Sequence, residues 1–281
     1  MNNQIKKLAV IGNPISHSAS PGMHNYVLEK LNLPYKYTAE LLSVDNFEDD
    51  ILDFKKSGFS GFNVTIPFKE KILPHLDYVD DDASAIGAVN TVVDKNGKWH
   101  GYNTDGIGFI YALKEELNFS CFRKNVVVLG AGGSSRALVY ALLKENVNNL
   151  VIVNRTIERA ENLLNSFSSF LGKSKVTALA FDDSSLQNVL SDSHLVINTT
   201  SLGMPPQSDL SALNSFDWCR AGKTVYDIIY KPQETILLKN CALKGANCLN
   251  GASMLAAQGM YAFHYFTGQQ ASYQWFLSKV Y

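Results

Sequence analysis

"NVVVLGAGGSSRA", residues 125–137, decides the fold. Val126–Leu129 is an unbroken apolar run, as a strand buried on both faces requires. Gly130, Gly132 and Gly133 follow at once, and "AGGSSRALVYALLKE" then reads as a helix. Strand, glycine turn and helix in that order predict the first step of a dinucleotide-binding fold. Glycines permit the tight turn and let a pyrophosphate approach the exposed N–H groups of the helix. A plain glycine-rich turn is the alternative, and the context on both sides favours the nucleotide. Ser135 stands where a third glycine is usual, and Ala137 is small enough to let the helix lie close to its strand.

The next strand, "NLVIVN", selects the nucleotide. An NAD site normally ends this strand in a carboxylate that accepts from the ribose hydroxyls. Here the strand ends at Asn154, followed by Arg155, Thr156 and Arg159. A guanidinium pairs with phosphate in a fork geometry, so the cofactor predicted is NADP, with its 2′-phosphate. The plain alternative is two exposed arginines at a helix start.

Working outward, two series of alternating strands and helices appear, and each is of the βαβ kind. The first runs through strands at Leu8–Ile11 and Tyr35–Leu42, with a helix between them opened and capped by Ser20-Pro21. Phe47–Lys56 is an amphipathic helix. "GFNVTIPFKE", residues 61–70, follows as a strand with Phe62, Val64, Ile66 and Phe68 alternating; Glu70–Leu76 is a short helix cut by Pro74. Val89–Val93 and Trp99–Tyr102 flank an Asn96-Gly97 hairpin signal. In the second series, "TDGIGFIYALKEEL" is a helix with Ile107, Tyr111 and Leu113 near one face, capped by Thr104 or Asp105. Further strands are expected at Val176–Ala180, His194–Asn198, Thr224–Ile228 and Ala246–Leu249, before two closing helices.

Polar side chains gather where the first series changes from strand to helix. Ser16, Ser18 and Ser20 follow one strand; Asn63, Thr65 and Lys69 follow or end another; Asn90 and Asp105 come from later connections. In parallel α/β sheets ligands bind beyond the carboxyl ends of strands. Each residue alone has a plain explanation: a cap, a turn amide, a surface amine, with Asn63 shaping the turn. Together they offer neutral donors and acceptors with one cation and one anion, as a hydroxylated carboxylic acid requires.

The totals exclude other classes. The chain has 281 residues, 46% apolar and 18% charged, with net charge −1, so no basic field gathers nucleic acid or anionic lipid. No apolar stretch approaches the ~20 residues of a membrane span, and the apolar run near the N-terminus is too short for a signal peptide. Four cysteines without CxxC spacing read as reduced thiols of a cytoplasmic protein, and six histidines in no ligand pattern support no metal site.

The motifs "GNPISHSASPGMHN", "GFNVTIPFKEK", "IGAVNTVV", "GYNTDGIG", "GAGGSSRA", "NRTIER" and "NGASMLAAQG" resemble, in this order, those of the shikimate dehydrogenases. The resemblance runs from about Val10 to Phe263, with variant loop residues in "NTTSLGM" and "NGASML". It implies two α/β domains with a cleft between them: a substrate domain of residues 1–105 and 252–281 with a mainly parallel sheet, and a Rossmann-like NADP domain of residues 106–251. It implies NADPH-dependent, reversible reduction of 3-dehydroshikimate to shikimate within chorismate and aromatic amino-acid biosynthesis, by a monomer or homodimer. By resemblance, Lys69 and Asp105 are the catalytic pair, and Ser18, Ser20, Thr65, Asn90, Tyr230 and Gln258 hold substrate. Cofactor contacts fall to Gly130, Ala131, Gly132, Gly133 and Ser134, and to Asn154, Arg155, Thr156 and Arg159. Thr200, Ile228, Gly251 and Met254 complete that set, with Gly251 and Met254 beside the nicotinamide. The rival readings are an enzyme that also uses quinate or prefers NAD, a non-catalytic NADP-sensing module, and an interaction scaffold. Retention of both Lys69 and Asp105 argues against the module.

Overall fold

The computed structural model describes residues 5–281. In chain order the first elements are β1 (Lys6–Gly12), α1 (Ser20–Lys30), β2 (Tyr35–Leu41), α2 (Phe47–Lys56), β3 (Phe59–Val64), β4 (Tyr78–Val79), α3 (Asp81–Ile86), β5 (Thr91–Lys95), β6 (Lys98–Tyr102) and α4 (Asp105–Leu117). Then come β7 (Asn125–Leu129), α5 (Gly133–Lys144), β8 (Asn149–Val153), α6 (Ile157–Ser166), β9 (Lys175–Leu179), α7 (Leu186–Asp192), β10 (Leu195–Asn198), β11 (Thr224–Asp227), α8 (Ile236–Leu243) and β12 (Asn247–Leu249). Helices α9 (Ala252–Thr267) and α10 (Tyr273–Leu277) end the chain. Two compact units result: Met1–Gly108 with Leu255–Tyr281, and Phe109–Met254.

The first unit holds a mixed sheet in the order β2-β1-β3-β5-β6-β4. β1 pairs in parallel with β2 and β3, and β4 with β6, while β3–β5 and β5–β6 are antiparallel. The β5–β6 hairpin turns at Asn96 (φ 59°) and Gly97 (φ 80°), two positive values in succession that match the strand twist. One face of the sheet packs Phe47 on Phe68 (ring centroids 4.5 Å) and Phe62 on Trp99 (4.9 Å). On the other side, His24 of α1 stacks on Tyr37 of β2 at 4.3 Å, with Phe263 of α9 and Phe276 of α10 around it.

The second unit holds a fully parallel sheet in the order β12-β11-β10-β7-β8-β9. From β7 the chain winds outward through β8 and β9, then returns to β10 on the other flank and continues through β11 and β12. Strand order therefore reverses between β7 and β10, the place where such sheets bind dinucleotides.

Several local expectations are corrected. The strand of residues 61–70 stops at Val64, so Ile66 is exposed while Phe68 returns to the core. Glu70–Leu76 forms only a 3₁₀ turn at Leu73–His75, since proline cannot donate to a continuing helix. In α4 the buried stripe is Phe109, Ala112 and Leu113, and Ile107 lies outside. Ser20 is the first residue of α1, not its cap; Ala19 holds the cap position, and Ser18 Oγ accepts from the Ser20 N–H (3.3 Å). Helix α3, unexpected from sequence, is capped by Asp80 accepting from the Ala83 N–H (2.8 Å), and Gly87 ends it at φ 71°.

Candidate active site

In the first unit, Lys69 follows β3, Asn90 immediately precedes β5 and Asp105 opens α4. The antiparallel pairing of β3 with β5 sets the start of β5 beside the end of β3, and the Val89 N–H donates to the Lys69 carbonyl (2.8 Å). Lys69 Nζ donates to Asp105 Oδ2 at 2.6 Å, and Asn90 Nδ2 donates to Asp105 Oδ1 at 2.8 Å. Both carboxylate oxygens are thus engaged, and the pair is largely sequestered, with side chains 14% and 7% exposed. A charged pair so buried stands only when its remaining hydrogen-bonding capacity is met. Here a fixed amide meets it.

The amide is fixed by its neighbours. Asn90 Oδ1 accepts from the Thr104 N–H (2.8 Å) and the Thr91 hydroxyl (2.9 Å), which turns Nδ2 toward Asp105. Asn63 is buried and joins two strands: its Nδ2 donates to the Asn90 carbonyl and to Thr91 Oγ1, both at 3.0 Å, and its Oδ1 accepts from the Tyr37 hydroxyl (2.7 Å). Asn63 therefore ties β3 to β5 instead of merely shaping a turn. Thr91 escaped the sequence reading, which took Thr104 only as a candidate helix cap and Asn63 only as shaping the turn; a polar residue inside the apolar run Phe62–Val64 was the available signal.

Gln258 joins the same cluster. Its Oε1 lies 3.5 Å from Asn90 Nδ2 as acceptor, and its Nε2 donates to the Leu255 carbonyl (2.8 Å). Gly108 makes this possible, because a Cβ there would come within 2.7 Å of the Gln258 backbone nitrogen. Ser18 sits on the connection after β1, Ser20 opens α1 at its end, and Thr65 follows β3; the two strands are parallel neighbours, so all three lie beyond the carboxyl ends of adjacent strands. Among the described residues no hydrogen bond joins these three hydroxyls to Lys69, Asn90 or Asp105.

In the second unit, Gly130 takes φ +105°, and a Cβ there would lie 2.7 Å from Thr199 Oγ1. Only glycine suits that position. Gly132 precedes α5, and a Cβ on it would meet nothing within 4 Å, so the approach to the helix start is open. Ser135 is fully buried: its hydroxyl accepts from the Gly132 N–H (3.1 Å) and shares a 2.6 Å hydrogen bond with Thr199. The residue that departs from the three-glycine pattern thus stitches the turn to the end of β10.

Beyond β8, Asn154 Nδ2 donates to the Thr156 carbonyl (2.8 Å), which folds the loop that displays Arg155, Thr156 and Arg159 to solvent. Among the described residues neither guanidinium has an ion-pair partner. Thr200 follows β10, its N–H and hydroxyl both donating to Asn198 Oδ1 (3.1 and 2.7 Å). Ile228 and Tyr230 follow β11 and are half-buried, while Gly251 and Met254 lie between β12 and the first turn of α9. An open glycine turn at a helix start, at the reversal of strand order, with unpaired arginines beyond the next strand, fits a dinucleotide carrying an extra phosphate.

The residues 10–92 match the model for the shikimate dehydrogenase substrate-binding domain, and 113–205 the model for shikimate/quinate 5-dehydrogenase. A shikimate dehydrogenase (NADP+) of Methanococcus maripaludis is 41% identical over 268 residues, covering 95% of this chain and 94% of its own. The chain belongs to the shikimate dehydrogenase family. Among solved structures of this family, the Listeria monocytogenes shikimate 5-dehydrogenase in complex with shikimate and NAD is similar with a TM-score of 0.91. That likeness is at 31% identity over 100% of this chain and 98% of that one. The Thermus thermophilus enzyme in complex with NADP(H) and shikimate gives a TM-score of 0.86 at 31% identity over 98% of each chain. Family membership accounts for a mixed sheet in one unit, a parallel sheet in the other and the order of the motifs. Among the described residues no helix is long and apolar enough to cross a membrane.

Proposed function

We propose that the chain is a cytoplasmic biosynthetic enzyme that reversibly reduces 3-dehydroshikimate to shikimate with NADPH. The acid binds to the unit of Ser18, Ser20, Thr65, Lys69, Asn90, Asp105 and Gln258. NADP(H) binds to the unit of the glycine turn and the arginines. The observation that carries this reading is the Lys69–Asp105 pair, held at 2.6 Å with the carboxylate's second oxygen fixed by Asn90.

The cofactor, when bound, supplies or accepts the hydride at the ring carbon. The chain's own residues manage the proton and the substrate's position. Lys69 Nζ hydrogen-bonds the carbonyl oxygen and delivers a proton as negative charge develops there, and in oxidation it takes the hydroxyl proton back. Asp105 aims the ammonium and balances its charge, and Asn90 keeps Asp105 from rotating. Ser18, Ser20, Thr65 and Gln258 bind the carboxylate and hydroxyls of the acid and so orient the ring. Gly130, Ala131, Gly132, Gly133 and Ser134 receive the pyrophosphate at the start of α5. Asn154, Arg155, Thr156 and Arg159 receive the 2′-phosphate, while Thr200, Ile228, Gly251 and Met254 flank the nicotinamide.

The test is a spectrophotometric assay of shikimate oxidation with NADP+ and with NAD+ in parallel, repeated with quinate. Turnover of shikimate with a marked preference for NADP+ is the expected result. Quinate is included because the model matching residues 113–205 is named for both acids. No oxidation of either acid with either cofactor would refute the proposal.

A further inference from the structure

Asp227, the last residue of β11, is fully buried and takes no part in the steps above. Its Oδ1 accepts from Asn198 Nδ2 (3.0 Å) and from the Ile229 N–H (3.1 Å), and its Oδ2 accepts from the Thr235 hydroxyl (2.7 Å). Among the described residues no cation pairs with it. Burial pushes its acid up to about 6, against the pull of those hydrogen bonds. An unpaired buried carboxylate is a costly way to fasten a loop, and an apolar contact would fasten it more cheaply. What the carboxylate does that an apolar group could not is gather three separate donors at one point.

Two of the three donors lead to residues of the proposed cofactor surface, and the third anchors the start of α8. Asn198, held by Asp227, accepts through its Oδ1 from both the N–H and the hydroxyl of Thr200. The Ile229 N–H, held by Asp227, fixes the peptide next to Ile228, whose own N–H donates to the Asn198 carbonyl (3.1 Å). The Ile229 carbonyl in turn accepts from the Gly251 N–H (3.0 Å), and a Cβ on Gly251 would overlap the Ile228 carbonyl. Thr235 caps α8, accepting from the Leu238 N–H (3.4 Å). The Arg155 loop is fastened separately, through Asn154, while the glycine turn is tied by Ser135 to Thr199, whose own hydroxyl donates to the Leu129 carbonyl (2.7 Å).

We propose that Asp227 is a positioning residue for the nicotinamide half of NADP(H): it holds Thr200, Ile228 and Gly251 as one surface, independently of the site for the adenosine half. The inference rests on the NADP reading above. It is tested by calorimetric titration of wild type, Asp227→Asn and Thr235→Val with NADP+ and with 2′,5′-ADP, which carries the adenosine half and both its phosphates but no nicotinamide.

Wild type is expected to bind both. Losing the buried carboxylate should weaken NADP+ by about tenfold in Asp227→Asn, and losing one of its three hydrogen bonds by about threefold in Thr235→Val. Binding of 2′,5′-ADP should be unchanged in both variants. Equal weakening of the two ligands would make Asp227 a general scaffold residue, and unaltered NADP+ binding in both variants would remove its role; either overturns the proposal while leaving the cofactor reading intact. A wild type that binds neither ligand would overturn both. If Asp227→Asn fails to fold, Thr235→Val decides alone by the same split.

Discussion

The two units build polar sites in opposite ways. In the first, Lys69, Asp105, Asn90, Thr91, Thr104 and Asn63 satisfy one another, and most are buried. In the second, Arg155 and Arg159 stand in solvent with no ion-pair partner among the described residues, and the start of α5 lies open. The contrast follows from the roles proposed for the two sites. A proton donor must hold its geometry before substrate arrives, because organising it during the reaction would add to the barrier. A phosphate clamp can wait, since the ligand's own charge supplies the missing partner.

Substitutions can break this contrast, beginning with the prebuilt site. Asp105→Asn would replace two acceptor oxygens by one, so either Lys69 Nζ or Asn90 Nδ2, both donors, would face the new NH2 group. We expect kcat to fall by about 10²–10⁴-fold, the range of general acid–base help, with a small change in KM. Steady-state kinetics on the folded variant would check it, and near-normal turnover would show that the pair is ornamental.

For the open site, replacing both Arg155 and Arg159 by Ala should raise KM for NADPH by at least about tenfold, as expected for loss of charge-assisted hydrogen bonds. KM for NADH should stay within about twofold, because NADH brings no 2′-phosphate. Equal effects on the two cofactors would break the clamp reading.

Acid should also separate the units. His24 is buried with neither ring nitrogen hydrogen-bonded among the described residues, and burial lowers its pKa from 6.5 to about 3. A depressed histidine contributes stability above pH 6.5 that is lost as pH falls toward 3, because only the unfolded chain takes up the proton. Asp227 has the reverse sign: raised from 3.8 to about 6, it favours folding below 3.8 and loses that contribution as pH rises through 6. Between about pH 7 and pH 5, His24 should therefore cost about 2 kcal/mol of stability. Urea unfolding of wild type and His24→Phe at the two pH values would measure it. An identical pH response in both proteins would contradict the assignment.

The smallest expected effect sharpens the account of the prebuilt site. Thr91→Val removes one hydroxyl that orients Asn90 and should lower kcat by about three- to tenfold, the worth of one buried hydrogen bond. Thr91→Ser should restore it, since serine keeps the hydroxyl. Loss in both variants would make Thr91 a packing residue only.

How much of this was legible in the sequence depended on how local each feature is. The strand, glycine turn and helix of residues 125–137 are contiguous, so Gly130, its turn and the arginines beyond β8 could be read directly. Lys69 and Asp105 could be named by resemblance, and their meeting required the pairing of β3 with β5. That register also brings Asn63 to Thr91, which no spacing along the chain displays. Ser135 looked like a lost glycine until the end of β10 stood beside it. Ile66 and Ile107 misled for a related reason: an apolar residue in the right phase counts as core only if the element continues, or if that face meets another.

The central claim is that the Lys69 amine manages the proton. The most direct measurement is the kcat of purified, folded Lys69→Ala for shikimate oxidation with saturating NADP+, beside wild type. The account predicts a loss of at least about a hundredfold with KM little changed; a variant that turns over shikimate at close to the wild-type rate would contradict it.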